Sequence, residues 1–131
     1  MRPLHRLKFW LAMGWVFVGI VVFLSLDPSP PELADFQGQD KVMHLLAYTF
    51  IMLWFGCCYD HGRTYLALGA GLIGMGIVLE LLQGFMGHRS MELWDMVVNA
   101  FGVTIGWFLT KTRLSYVLVR VENQLGFQEK R

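Results

Sequence analysis

Hydrophobic residues along the chain are grouped into four long runs, which short polar segments separate. About 20 residues of α-helix cross the hydrocarbon core of a bilayer, and each run has about that length. The pattern therefore predicts an all-α, polytopic membrane bundle of four transmembrane helices, formed by a single domain that covers residues 1–131. The predicted spans are 9–26, 42–59, 65–86 and 93–110.

The composition agrees with a membrane protein and excludes several function classes. Of the 131 residues, 55% are hydrophobic and 16% are charged, whereas soluble domains average roughly 45–50% and about 25%. Four spans leave about 50 residues for loops and ends, too few for a separate catalytic or nucleotide-binding domain. The net charge of +1 argues against a nucleic-acid partner, which requires a clustered basic surface. Any chemistry is therefore expected among the helices.

The distribution of Lys and Arg predicts the orientation of the chain, because cytoplasmic loops carry an excess of these residues. If the N-terminus is cytoplasmic, nine of the eleven basic residues lie inside, and only Lys41 and Arg89 lie outside. We therefore expect both termini in the cytoplasm. Apolar residues at helical spacing within 114–131 predict either a cytoplasmic amphipathic helix on the membrane surface or a frayed tail.

Polar side chains inside the predicted spans fall near one side of the membrane. The second helix carries them at an i, i+4, i+8 spacing, which places them on one face. The residues are Asp40, His44 and Tyr48 on the second helix, Glu80 and Gln83 on the third, and Asp95 and Asn99 on the fourth. At 1.5 Å per residue, Glu80 lies about 10 Å below the turn that follows it. All three polar faces are thus expected at a similar depth.

The cost of burying charge predicts how these faces are arranged. An ionisable side chain in hydrocarbon costs about 2.5–3.5 kcal/mol, so Glu80 and Asp95 are expected to face one another or water. We predict a polar cavity among the second, third and fourth helices, open at the outer surface, with Arg89 and Lys41 near its rim.

Small residues predict where the helices approach each other closely. Gly102 and Gly106 form a GxxxG pair, a spacing typical of closely packed membrane helices, and we assign them to packing. Four positions of the third helix are expected to extend this packing, and exposed glycine faces also suit a homo-oligomer. These positions are Ala67, Ala70, Gly71 and Gly74.

The order and spacing of these residues resemble the VanZ-like family of small bacterial membrane proteins. The resemblance covers 40–106 and rests on Asp40-Lys41-x2-His44-x3-Tyr48 followed by Glu80-x2-Gln83-x5-Arg89-x5-Asp95-x3-Asn99-x2-Gly102-x3-Gly106. It implies a multi-pass protein of the bacterial inner membrane. The family takes its name from an association with resistance to teicoplanin, a glycopeptide that acts on cell-wall precursors outside the membrane.

Three functions remain open from the sequence. In the first, the cavity binds or acts on a lipid-linked phosphate or a glycopeptide-related ligand of the cell envelope. The second is a non-enzymatic binding or shielding protein that affects glycopeptide susceptibility, and the third is a proton-coupled pathway for small solutes. The sequence does not decide whether the protein is an enzyme.

Each candidate residue has a proposed role and a structural alternative. The candidate catalytic residues are His44 as an acid or base, Glu80 and Asp95. The candidate ligand-binding residues are Asp40, Lys41, Gln83, Arg89 and Asn99. The alternatives are that Asp40 caps a helix, that Gln83 bonds a neighbouring helix, and that Arg89 pairs with Asp95.

No cofactor is predicted, although a divalent metal held by Asp40, Glu80 and Asp95 is an alternative that no local motif supports. The expected partners are the lipid bilayer and a lipid-linked phosphate or cell-wall precursor.

Overall fold

The computed structural model of the chain describes residues 2–29, 38–87 and 91–127. Within these ranges there is no strand. The helices are α1 Leu7–Leu26, α2 Gln39–Cys58, α3 Arg63–Phe85, α4 Leu93–Leu109 and α5 Val117–Gln124, and a 3-10 turn at Arg113–Tyr116 precedes α5. The prediction of an all-α fold is therefore confirmed.

The helices supply three or four membrane spans. By length and composition, α1, α2 and α3 are each apolar enough to cross a bilayer. The 17-residue α4 meets the same criterion when it is joined to residues 113–124, from which it is separated by a bend of 74°. The helix ends differ from the predicted spans by at most three residues, because polar residues such as Gln39 continue a helix beyond its apolar run. This architecture supports a membrane location.

The closest helix pair is α2 and α4, because glycine allows their backbones to meet. A Cβ atom on Gly102 would lie 2.8 Å from the Leu45 carbonyl oxygen, and one on Gly106 would lie 2.6 Å from the Thr49 carbonyl oxygen. The Thr49 hydroxyl also donates to the Gly102 carbonyl oxygen at 3.0 Å. Any larger residue would separate the two helices at these positions.

The third helix packs through different small residues from those expected. Added Cβ atoms on Gly69 and Gly76 would lie 3.0–3.2 Å from side chains of α2 and α4, whereas Gly71 and Gly74 would have no neighbour within 4 Å. The expectation that Gly71 and Gly74 extend the interhelical packing is therefore wrong. Positions 69 and 76 are seven residues apart and define the inward face of α3, so 71 and 74 turn away from it.

Apolar side chains fill the middle of the bundle, between its two polar ends. The buried core consists of Val18, Tyr48, Ile51, Met52, Phe55, Tyr65, Leu72 and Val103.

Glu122 of α5 joins the two ends of the chain at one end of the bundle, which we call the tail end. Glu122 is 1% exposed, and its carboxylate accepts hydrogen bonds from the N–H groups of His5 at 2.7 Å and Arg6 at 2.9 Å. The indole N–H of Trp10 donates to it at 2.7 Å. Because N–H groups at a helix start lack partners within the helix, Glu122 caps α1 from a distant part of the sequence.

The tail predicted at 114–131 is helical over a shorter range. It begins with the 3-10 turn, and α5 ends at Gln124. Leu118 of α5 is buried against Trp10 and the adjacent residues Cys57 and Cys58. Residues 128–131 lie outside the described residues. The segment from 117 to 124 is thus a packed element of the tail end rather than a frayed tail.

Replacement of Gly106 by Ala is expected to destabilise the protein in detergent by about 1–3 kcal/mol, because overpacking forces α2 and α4 apart. The matched variant Gly71→Ala places its methyl group in open space and should be neutral or up to about 1 kcal/mol more stable, through helix propensity. Thermal unfolding followed by tryptophan fluorescence checks this prediction. Equal effects of the two variants would contradict the assigned α2–α4 contact.

Glu122 should also give the stability a defined pH dependence. Burial raises the pKa of Glu122, but the hydrogen bonds from Arg6, Trp10 and His5 lower it by more, so this pKa lies below its ordinary value. The stabilisation is therefore present above the unfolded-state pKa of about 4.3 and is lost as the pH falls through the lower folded-state pKa.

We expect Glu122→Gln to cost about 1–3 kcal/mol at pH 7, and the difference from the wild type to shrink below pH 4. The measurement is the unfolding midpoint of both proteins from pH 7 to pH 3. A difference that stays constant over this range would contradict the role of the ionised carboxylate.

Candidate functional site

A cluster of polar side chains lies among α2, α3 and α4 at the end of the bundle opposite Glu122, which we call the site end. The polar cluster consists of Lys41, Tyr48, Glu80, Glu92, Asp95 and Asn99. The exposed fractions of its inner members are 0% for Tyr48, 2% for Glu80, 6% for Asp95 and 2% for Asn99. Polar groups are thus buried among α2, α3 and α4 at this end of the bundle.

Lys41 connects the start of α2 to the start of α4. Its ammonium group lies 3.1 Å from Asp95 Oδ1 and also forms an ion pair with the carboxylate of Glu92. Lys41 and Glu92 are partly exposed, whereas Asp95 is buried. These ion pairs therefore form the outer boundary of the polar cluster.

Glu80 reaches the polar cluster from α3. Its Oε1 atom accepts a hydrogen bond from the backbone N–H of Glu92 at 2.8 Å. Glu92 is the N-cap residue of α4, so this bond satisfies one of the free N–H groups at the start of that helix. No Lys or Arg in the described ranges forms an ion pair with Glu80. Burial of a carboxylate without a cation costs free energy, so Glu80 lowers the stability of the fold.

Tyr48 and Asn99 form the deepest part of the polar cluster, where both contact α3 at Gly76. A Cβ atom on Gly76 would lie 3.0 Å from Asn99 Nδ2 and 3.2 Å from Tyr48 Oη. Glu80 interacts electrostatically with the Tyr48 phenol. Neither Tyr48 Oη nor Asn99 Oδ1 has a hydrogen-bond partner among the described residues. Because buried polar atoms are normally paired, both atoms retain the capacity to bind a polar group.

His44 contacts an aromatic ring, whereas Gln83 contacts a backbone carbonyl group. The half-buried His44 ring stacks on Tyr48, with ring centroids 6.5 Å apart and planes inclined by 20°. Gln83 donates to the Ser25 carbonyl oxygen on α1 at 2.5 Å. Its amide therefore joins α3 to α1, as in its structural alternative.

Two further predicted residues lie at the margin of the site. Asp40 is exposed in the first turn of α2, and Arg89 lies outside the described residues. Within the described ranges, no three His, Cys, Asp or Glu side chains are grouped so as to hold a metal ion. The alternative of a metal bound by Asp40, Glu80 and Asp95 therefore gains no support from their placement.

Two members of the polar cluster were not identified as site residues from the sequence. Glu92 received no role, although it lies three positions before Asp95 at the same helix start. Tyr48 was placed on the polar face of the second helix but received no role, although it lies four residues after His44. The spacing was visible in both cases, but the missing hydrogen-bond partners and the ion pair require the packed structure.

An apolar layer separates the polar cluster from the tail end. Met52, Leu72 and Val103 are each less than 5% exposed in this layer. On its far side, the Tyr65 hydroxyl donates to the Met52 carbonyl oxygen and to Thr110 Oγ1, each at 3.3 Å. The polar cluster thus reaches the surface through the partly exposed Lys41 and Glu92 at one end, and apolar side chains separate it from the other end.

Comparison with known proteins adds one relative. An uncharacterized protein of the fission yeast Schizosaccharomyces pombe is 30% identical to the chain over 103 residues, which cover 76% of this chain and 60% of the yeast protein. The chain thus spans about three-fifths of the length of the relative it matches. No protein-family model matches the chain, and no solved structure matches it.

A pair of tyrosine variants tests whether the hydroxyl of Tyr48 is unpartnered. Tyr48→Phe is expected to leave the protein equally stable or up to about 3 kcal/mol more stable, because it removes a buried group that lacks a partner. Tyr65→Phe should destabilise by about 0.5–1.5 kcal/mol, because it deletes hydrogen bonds. Thermal unfolding in one detergent, after bound lipid has been removed, compares them, and a Tyr48→Phe protein less stable than Tyr65→Phe would refute the assignment.

Proposed function

We propose that the chain is a VanZ-like membrane protein that binds the polar headgroup of a membrane or cell-envelope lipid at its site end. The observation that carries this proposal is the pair of buried atoms, Tyr48 Oη and Asn99 Oδ1, that have no partner among the described residues. A bundle gains no stability from such atoms, whereas a headgroup that supplies hydrogen bonds would satisfy both. The charged side chains of Glu80, Asp95 and Lys41 belong to the same cluster as these two atoms.

The resemblance to the VanZ-like family supports the proposal through the residues that carry it. Five of them, Lys41, Tyr48, Glu80, Asp95 and Asn99, belong to the polar cluster. Gly102, which also carries the resemblance, holds α2 against α4. Because the relative comes from a yeast, the location that we propose is a membrane, and we do not propose a bacterial one. A bacterial inner-membrane location and an effect on glycopeptide susceptibility stay predictions from the resemblance.

We further propose that the site end faces the outside of the cell. Residues 2–6 and α5 share the tail end, where most of the basic residues are located in sequence. By the positive-inside rule, this end is cytoplasmic, so the polar cluster opens to the outer leaflet.

Recognition is favoured over catalysis and transport. A general base is usually oriented by a third group, whereas the His44 ring stacks on the Tyr48 ring. A proton pathway requires polar groups across the whole span, and the apolar layer of Met52, Leu72 and Val103 interrupts it. A non-enzymatic binding protein is therefore the proposal that agrees best with the geometry.

The test is lipid retention by the purified protein, measured by native mass spectrometry after release from detergent. The wild type should retain a bound lipid, and Tyr48→Phe should lose about three- to tenfold in occupancy, the value of one or two hydrogen bonds. Tyr65→Phe serves as the matched control and should retain the lipid. Equal lipid occupancy in the wild type and in Tyr48→Phe would reject the proposed site.

A further inference from the structure

We infer that Glu92 determines the class of headgroup that this site accepts, by pairing with Lys41 and so leaving the polar cluster acidic. The ligand is then a headgroup that carries a protonated amine, rather than one whose only charge is a phosphate. This inference rests on the proposed function and adds the chemical identity of the ligand to it.

The charges at the site end are unbalanced. The described residues there include five carboxylates and one ammonium group, and adding the charge of Arg89 would still leave the carboxylates in excess. The carboxylates belong to Asp27, Asp40, Glu80, Glu92 and Asp95. An anionic headgroup that enters this region meets a field of its own sign, whereas a cation is attracted to it.

Lys41 does not correct this imbalance, because its ammonium group is already engaged. It contacts Asp95 Oδ1 at 3.1 Å and the carboxylate of Glu92. A phosphate that binds Lys41 must compete with both carboxylates. Glu92 is further held in place by its backbone N–H, which donates to Glu80 at 2.8 Å. Lys41 is therefore a weaker phosphate ligand here than its charge suggests.

The uncommitted groups inside the site also favour a donor. Asn99 Oδ1 can only accept a hydrogen bond, Tyr48 Oη can donate or accept, and the carboxylate of Glu80 has no cation among the described residues. An ammonium group supplies three donors and no acceptor. A divalent cation would need more ligands, and no such set is grouped within the described ranges.

The experiment compares two lysophospholipids that have the same acyl chain and differ only in the headgroup. Lysophosphatidylethanolamine carries an ammonium group and lysophosphatidylglycerol does not. Binding of each to the detergent-solubilised full chain is measured by native mass spectrometry at low ionic strength. We expect the wild type to prefer the ethanolamine lipid, and Glu92→Gln to reduce this preference by roughly three- to tenfold, because one ion-pair partner of Lys41 is lost.

The charge-matched control is Asp27→Asn, at the end of α1. Asp27 accepts a hydrogen bond from the Ser29 N–H at 2.9 Å, which the amide oxygen of Asn retains. This variant removes the same charge from the same end of the bundle and should leave the preference unchanged. An unchanged preference in Glu92→Gln, a wild type that prefers the glycerol lipid, or an equal shift in Asp27→Asn would overturn the inference.

Additional measurements separate this inference from the proposed function and identify the source of the amine. If Tyr48→Phe weakens binding of both lipids while Glu92→Gln leaves the ratio of their affinities unchanged, the headgroup site is supported and the role of Glu92 is rejected. If Tyr48→Phe weakens binding of neither lipid, the proposed function is rejected. Soluble phosphoethanolamine that displaces the ethanolamine lipid at equal concentration would support the ammonium chemistry and identify a free amine, rather than a lipid, as its source.

Discussion

Close packing between the backbones of α2 and α4 is the contact on which the polar cluster depends. Gly102 and Gly106 lie against the carbonyl groups of Leu45 and Thr49 at distances that no side chain would permit. Without a hydrophobic driving force between helices in lipid, such contacts gain their energy from van der Waals packing. The same approach aligns the two helix starts, so that Lys41 meets Asp95 and its N-cap neighbour Glu92. A wider separation would expose the inner members of the cluster to hydrocarbon.

The two ends of the bundle use buried polar groups in opposite ways. At the tail end, Glu122 accepts three hydrogen bonds and ties α5 to the start of α1, which stabilises the fold. At the site end, Tyr48 and Asn99 retain unpaired atoms, which contribute nothing to it. This contrast is the main reason for placing function at the site end, because unsatisfied buried groups are costly and proteins concentrate such costs at functional sites.

Much of the fold could be predicted from the sequence, because membrane helices require long apolar runs and backbone groups satisfied within the helix. The positions of Glu80, Asp95 and Asn99 near one end followed from helix geometry. Contacts between helices did not follow in the same way. The spacings of Ala67 with Gly71 and of Ala70 with Gly74 fit a GxxxG-like interface, yet helix rotation places Gly69 and Gly76 inward instead. Rotation depends on the combined packing of three helices, which periodicity along one helix does not determine.

The identity of the site residues was likewise only partly accessible from the sequence. Lys41 was identified by its type and position, but its pairing with Glu92 depends on how the start of α4 approaches α2. Gln83 lies three residues after Glu80, a spacing that places both side chains on one face of α3. Its amide nevertheless donates to the Ser25 carbonyl oxygen of α1. A polar residue in a span can thus serve packing or binding, and the partner atom decides which.

The most direct test of this account is a high-resolution experimental map of the full chain in lipid nanodiscs. We expect non-protein density at the site end, within hydrogen-bond distance of both Tyr48 Oη and Asn99 Oδ1 and bordered by Lys41 and Glu92. A map in which both atoms bond only to protein groups, with no additional density between α2, α3 and α4, would contradict the central claim that this cluster is a binding site.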